Sequence, residues 1–198
     1  MGLDAYRTFG LRRNWLEDFL LRGEEFFQNH TLGPEQIKAF KRYLKHSELI
    51  TSKGELTPLY FRVREIFERK GTPAWLVVWF YLCKNSELFR WYVGTFPWNV
   101  ELTKTQLVEK LTEQFHLRER TAKNSINALI NTFKTSPLGE WFGKPLGRDK
   151  FLKKGTPVVD GEVMKLIVER ENIDPAKGFE LFHTVFGVDR EGYILGVV

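Results

Sequence analysis

The stretch TKTQLVEKLTEQFHLRERTAKNSINALINTFK, residues 103–134, decides the fold. Thr103 and Gln106 stand in the capping-box relation, in which the Thr hydroxyl and the Gln side chain each satisfy a backbone N–H that a helix start leaves orphaned. Behind them Leu107, Val108, Leu111 and Phe115 recur at helical spacing until His116-Leu117-Arg118 breaks the period. A second helix is predicted from Glu119 to Lys134, with Ala122, Ile126, Leu129, Ile130 and Phe133 as its apolar stripe. Arg120, Lys123, Asn124, Asn127, Asn131 and Lys134 lie together on the other side, within about 100° of arc. Two helices joined by a short turn are helix-turn-helix grammar.

Upstream the plan returns without a sequence repeat. After Gly33-Pro34, Ile37, Phe40 and Leu44 form an apolar stripe, while Lys38, Lys41, Arg42 and Lys45 share another face. Two short strand signals, Leu49-Ile50 and Glu55-Leu56, then flank a turn containing Lys53 and Gly54, which predicts a small hairpin or wing. Thr57-Pro58, Thr72-Pro73 and Asp174-Pro175 read as further helix starts, because proline loses nothing at the first helical position. Pro157-Val158-Val159 and Tyr193 to Val198 read as strands. The aromatics from Trp75 to Trp98 are interleaved with aliphatics and have few cations beside them, so they are assigned to core. The expectation is a mainly α fold with small β wings: an N-terminal winged-helix-like unit over 1–70, aromatic core helices and a second helix-turn-helix unit over 71–143, and an α-rich C-terminal segment over 144–198, entered through a Gly-, Lys- and Pro-rich linker.

Composition sets the outer bounds. The 198 residues carry 30 Lys and Arg against 25 Asp and Glu, a net charge of +5, and 42% are hydrophobic, enough for a packed core. The single cysteine, Cys83, excludes an internal disulfide and reads as a small buried hydrophobe. The start has no apolar signal-like region, and the longest apolar run, Ala74 to Cys83, is about half of the roughly 20 residues a membrane span needs, so a soluble, cytoplasmic chain without membrane contact is expected. The triplet Asn29-His30-Thr31 is read as a chance glycosylation match. His30, His46, His116 and His183 are scattered, so no metal and no cofactor are expected. Asp160, Glu162, Glu169 and Glu171 alternate with Lys165 and Arg170 as on a solvated helix. No P-loop, dinucleotide fingerprint or nucleophile elbow occurs, and nothing argues for catalysis.

The polar face of the 119–134 helix combines point charges for phosphates with amides suited to adenine edges. Ordinary solvated faces mix both signs of charge, whereas here Glu119 is the one carboxylate. Arg120, Lys123 and Lys134 are assigned to phosphates and Asn124 and Asn127 to base edges of duplex DNA, with Asn131 on the same face. Lys38, Lys41, Arg42, Lys45 and Lys53 form a second candidate stripe, which Glu35, Glu48 and Glu55 are close enough to offset. A plain solvated face remains the competing reading for both stripes.

Leu49-Ile50, Leu56-Thr57-Pro58-Leu59, Trp75-Leu76, Leu102-Thr103, Leu129-Ile130-Asn131-Thr132-Phe133, Ser136-Pro137-Leu138-Gly139-Glu140 and Phe186-Gly187-Val188-Asp189 occur in an order that resembles a bacterial family of unknown function. Members of that family lie beside reductase-like proteins of the PAPS (phosphoadenosine phosphosulfate) type in DNA phosphorothioation and related DNA-modification or defence islands. The resemblance runs from about Phe9 to Asp189. It implies an accessory role, a winged-helix protein working with DNA-modifying or sulfur-transfer enzymes; joined to the two basic helices, the expectation is a non-enzymatic, DNA-binding accessory protein or, alternatively, an adaptor for a PAPS-reductase-like or sulfur-transfer enzyme. The chain itself lacks the Ser-Gly-Gly loop and paired cysteines of such reductases.

Overall fold

The structure, a computed structural model, describes residues 2–197. An irregular N-terminal segment leads into α1 (Arg13–Arg22), the single turn α2 (Glu25–Gln28) and α3 (Pro34–His46). The start of α3 follows its sequence signal: Pro34 is the first helical residue, and Gln36 Oε1 accepts from the Gly33 N–H at 3.0 Å. The expected hairpin follows as one antiparallel bridge, Ile50 to Leu56, closed by Thr51 N–H to Glu55 O at 2.8 Å. Thr57 then caps α4 (Pro58–Lys70) by accepting from the Tyr60 N–H, and α5 (Ala74–Asn85) and α6 (Glu87–Thr95) complete the first half.

The second half begins with β1 (Val100–Thr103), α7 (Lys104–Phe115) and α8 (Glu119–Thr135). The capping box is present, with Thr103 Oγ1 accepting from Gln106 N–H at 3.2 Å and Gln106 Oε1 accepting from Thr103 N–H at 2.9 Å. His116 takes the left-handed conformation, φ 51°, that ends α7 and turns the chain into α8. A turn of helix, α9 (Gly139–Phe142), leads to β2 (Lys144–Gly147) and β3 (Lys150–Lys153). These strands and β1 form an antiparallel sheet in the order β1-β3-β2, with Val100 opposite Lys153 and Leu102 opposite Phe151. The chain ends in α10 (Gly161–Glu171), α11 (Phe179–Phe186) and α12 (Arg190–Val197).

Four sequence expectations are corrected. The linker expected after residue 143 is the β2–β3 hairpin, and β3 pairs with β1 of the preceding unit, so a boundary between 143 and 144 cuts the sheet. Pro157-Val158-Val159 joins no strand. Asp174-Pro175 opens a turn, in which Asp174 accepts from the Ala176 N–H, and the helix starts four residues later at Phe179. Tyr193 to Val197 is helical despite its β-branched residues, and Val198 lies outside the described residues. Tertiary packing overrides propensity there: a Cβ on Gly192 would lie 1.9 Å from Pro157 O and one on Gly196 2.2 Å from Met164 Sδ, so this face of α12 sits closer to its neighbours than a side chain allows.

The core is one continuous cluster from Leu3 to Tyr193. Every residue of α5 from Ala74 to Cys83 is buried, and that helix packs against α3, α4, α6, α10 and α11. Trp79 is the junction: its ring stacks on Phe142 at 4.3 Å, and its Nε1–H donates to Val185 O at 2.6 Å. The expected aromatic core is therefore observed. Among the described residues Lys153 is the one Lys, Arg, Asp or Glu side chain that is buried. At 0% exposure its ammonium donates to the carbonyls of Tyr92 and Val93, at 3.1 Å each, and of Phe96. It lies 4.2 Å from the centre of the Trp98 ring. The end of β3 thus caps the C-terminus of α6. Among the described residues no helix is long and apolar enough to cross a membrane.

Candidate nucleic-acid interface

Helix α8 is held by its apolar stripe: Ala122, Ile126, Leu129 and Phe133 are buried, together with Thr132. That anchoring turns Arg120, Lys123 and Lys134 fully outward and leaves Asn124 and Asn127 half-buried between them. Lys123 Nζ lies 2.5 Å from Glu119, whose carboxyl it holds below the usual range. Arg120 and Lys134 have no ion-pair partner among the described residues. The N-terminal half of the face is thus cationic and amide-rich, with one internally matched charge.

The C-terminal half differs. Residues 8–11 cross it: Asn131 Nδ2–H donates to Thr8 O at 2.9 Å, Leu11 N–H to Thr132 Oγ1 at 2.9 Å, and the Tyr43 hydroxyl to Phe9 O at 2.9 Å. A Cβ on Gly10 would lie 2.2 Å from Thr132 N, so glycine alone permits this approach. Asn131, grouped by helical spacing with the other face residues, spends an amide hydrogen on the N-terminal segment. Helical geometry put it on the right face, but the sequence carries no sign of the backbone that crosses there.

The other flank of α8 is the β2–β3 hairpin. Lys134, Pro145 and Lys150 border one depression between the two elements, and Arg148 sits exposed in the hairpin turn, where Asp149 adopts φ 57°. Arg148 and Lys150 escaped the sequence reading. Their signal was the turn Gly147-Arg148-Asp149-Lys150 between Pro145-Leu146 and Phe151-Leu152, which the Lys- and Gly-rich composition of the stretch disguised as a linker.

The second stripe is partly neutralised. Glu35 pairs with Lys38 at 2.8 Å and with Arg7 at 2.9 Å, and Lys41 lies 5.0 Å from the centre of the Phe27 ring. Arg42 and Lys45 are exposed without a carboxylate at ion-pair distance among the described residues. Lys53 stands exposed near the tip of the first hairpin, on a different element from α8. Helices α3 and α8 meet where Tyr43 and Thr132 approach to 3.3 Å.

The acidic residues of α10 are not the solvated row their spacing predicted. Asp160 caps α10 and pairs with Lys70, Glu162 pairs with Arg69 and Lys70, and Glu171 pairs with Lys84 at 2.7 Å and accepts from the Tyr81 hydroxyl, tying α10 to α4 and α5. Glu169 alone pairs along its own helix, with Lys165. Among the described residues no group of three or more His, Cys, Asp or Glu side chains is placed to hold a metal ion. Cys83 is buried, which pushes its thiol well above the ordinary range. No protein family, no curated protein and no solved structure matches this chain.

Proposed function

We propose that the protein is a non-enzymatic DNA-binding accessory protein whose recognition helix is α8. The observation that carries the reading is the exposed face of Arg120, Lys123, Asn124, Asn127 and Lys134, flanked by a hairpin that carries Arg148 and Lys150. The element order α6-β1-α7-α8-β2-β3, with the sheet ordered β1-β3-β2, supports a winged-helix unit in which the hairpin is the wing beside the recognition helix. In this reading α3 and the first hairpin form a second, smaller unit that adds Arg42, Lys45 and Lys53 as backbone contacts. Partners from a DNA-modification or defence system follow from the sequence resemblance.

The test is fluorescence anisotropy with labelled duplex DNA over a salt series. Neutralising several phosphates gives a log K against log[salt] slope of roughly −0.9 per phosphate, so a total of about −3 or steeper is expected. Absence of binding at low salt overturns the reading.

A second reading, an adaptor that docks an enzyme partner, is favoured by the apolar side chains Ile194, Leu195 and Val197 of α12, which stand 53%, 64% and 41% exposed. Binding of a reductase-like partner that Leu195→Glu abolishes, with no DNA binding, would select it.

A further inference from the structure

Away from α8, helices α5, α6 and α11 each turn one i, i+3, i+4 face towards a cleft of about 420 Å³. Phe80, Val93, Leu181 and Val185 make its walls largely apolar, and Arg90 and Lys84 stand at its rim. The size falls within the few hundred Å³ of small-molecule sites, and an apolar wall with a few convergent polar groups is their usual chemistry.

Two features mark it as more than a packing defect. Lys84 is matched by Glu171 at 2.7 Å and Glu48 at 3.5 Å, but Arg90 has no carboxylate partner among the described residues and donates only to the Lys84 carbonyl, at 3.2 Å. The net charge facing the cleft is therefore cationic. Gly94 lies in the last turn of α6, facing the cleft, and a Cβ built on it meets no atom within 4 Å. No neighbour demands glycine there, and its missing side chain leaves the cleft open.

We propose that this cleft binds a small amphipathic monoanion, an alkyl or aryl carboxylate, with its apolar part between Phe80, Val93 and Leu181 and its carboxylate on Arg90. The site is independent of the α8 face, since no residue of α8 lines it. Titration of the full chain with anilinonaphthalene sulfonate, an aryl anion that brightens on leaving water, tests the proposal. A single saturable site is expected, displaced by decanoate and much less by uncharged decanol. Arg90→Gln is expected to raise Kd about tenfold or more, as loss of a charge-assisted hydrogen bond does. Gly94→Leu is expected to abolish binding with the melting temperature retained; if it melts lower, Thr184→Trp on the facing helix closes the cleft instead. Absence of a saturable site, equal displacement by decanol, or wild-type affinity in either the Arg90 variant or the cleft-filling variant overturns the proposal.

Discussion

Lys123 and Asn127 lie four residues apart on one helix face and are assigned different tasks. Lys123→Ala is expected to weaken every duplex alike and to flatten the salt slope by about one unit, while Asn127→Ala is expected to cost about 1–3 kcal/mol on preferred sequences only. Anisotropy titrations of both variants against two unrelated duplexes separate the outcomes. The pair Lys123–Glu119 adds a sign that a surface cation alone would lack: Glu119→Gln removes the competing carboxylate and is expected to tighten binding, and unchanged binding would place Lys123 off the interface. His46 supplies a pH test of the fold. Burial, with Arg42 adding, drives its imidazole down to about 4 from 6.5. The unfolded chain therefore takes up the proton first as pH falls, so this stabilisation is complete above about 6.5 and is lost towards 4. Melting temperatures across that interval are expected to fall more steeply for the wild type than for His46→Gln.

At the scale of elements, the ease of reading tracked how local the cause is. The starts of α3, α4 and α7 were legible because caps and proline act within four residues, while α8, which has no side-chain cap, was legible from its apolar period and spans Glu119–Thr135 against an expectation of 119–134. The β2–β3 hairpin was not, because all of β2 is exposed and carries no alternation; it is a strand only through β3, whose Phe151 and Lys153 point inward. The crossing of α8 by residues 8–11 was equally silent, since its cause is a contact with a helix more than a hundred positions away. The candidate face was thus legible as a helix surface, and its borders were not. Replacing Arg148 and Lys150 together by Ala is expected to weaken DNA binding without sequence preference and to reduce the salt slope by about two units, with unchanged circular dichroism. Unchanged affinity would remove the hairpin from the interface.

For the whole molecule, composition pointed to three units, but Trp79, Phe142 and Val185 meet at one point in a single core. One cooperative transition, coincident by tryptophan fluorescence and circular dichroism, is therefore expected, and two separated transitions would restore the division. Lys153 makes this core pH-sensitive. Burial lowers its pKa to about 7 from 10.5, so charge burial opposes folding in full below about 7 and the opposition fades as pH rises towards 10.5. The stability of the wild type relative to Lys153→Met is expected to rise between pH of about 7 and 9. A flat difference would mean that the three carbonyls keep the ammonium charged.

The same lysine fixes a distance. Because β3 ends in a side chain fastened to the last carbonyls of α6, and β3 is also zipped to β1, the hairpin is braced at its base on two sides. A hairpin so braced cannot swing away from the helix it flanks, since β2 also packs against α8. Under the proposed function the two elements would meet a duplex as one preset surface, with no rearrangement of either on binding.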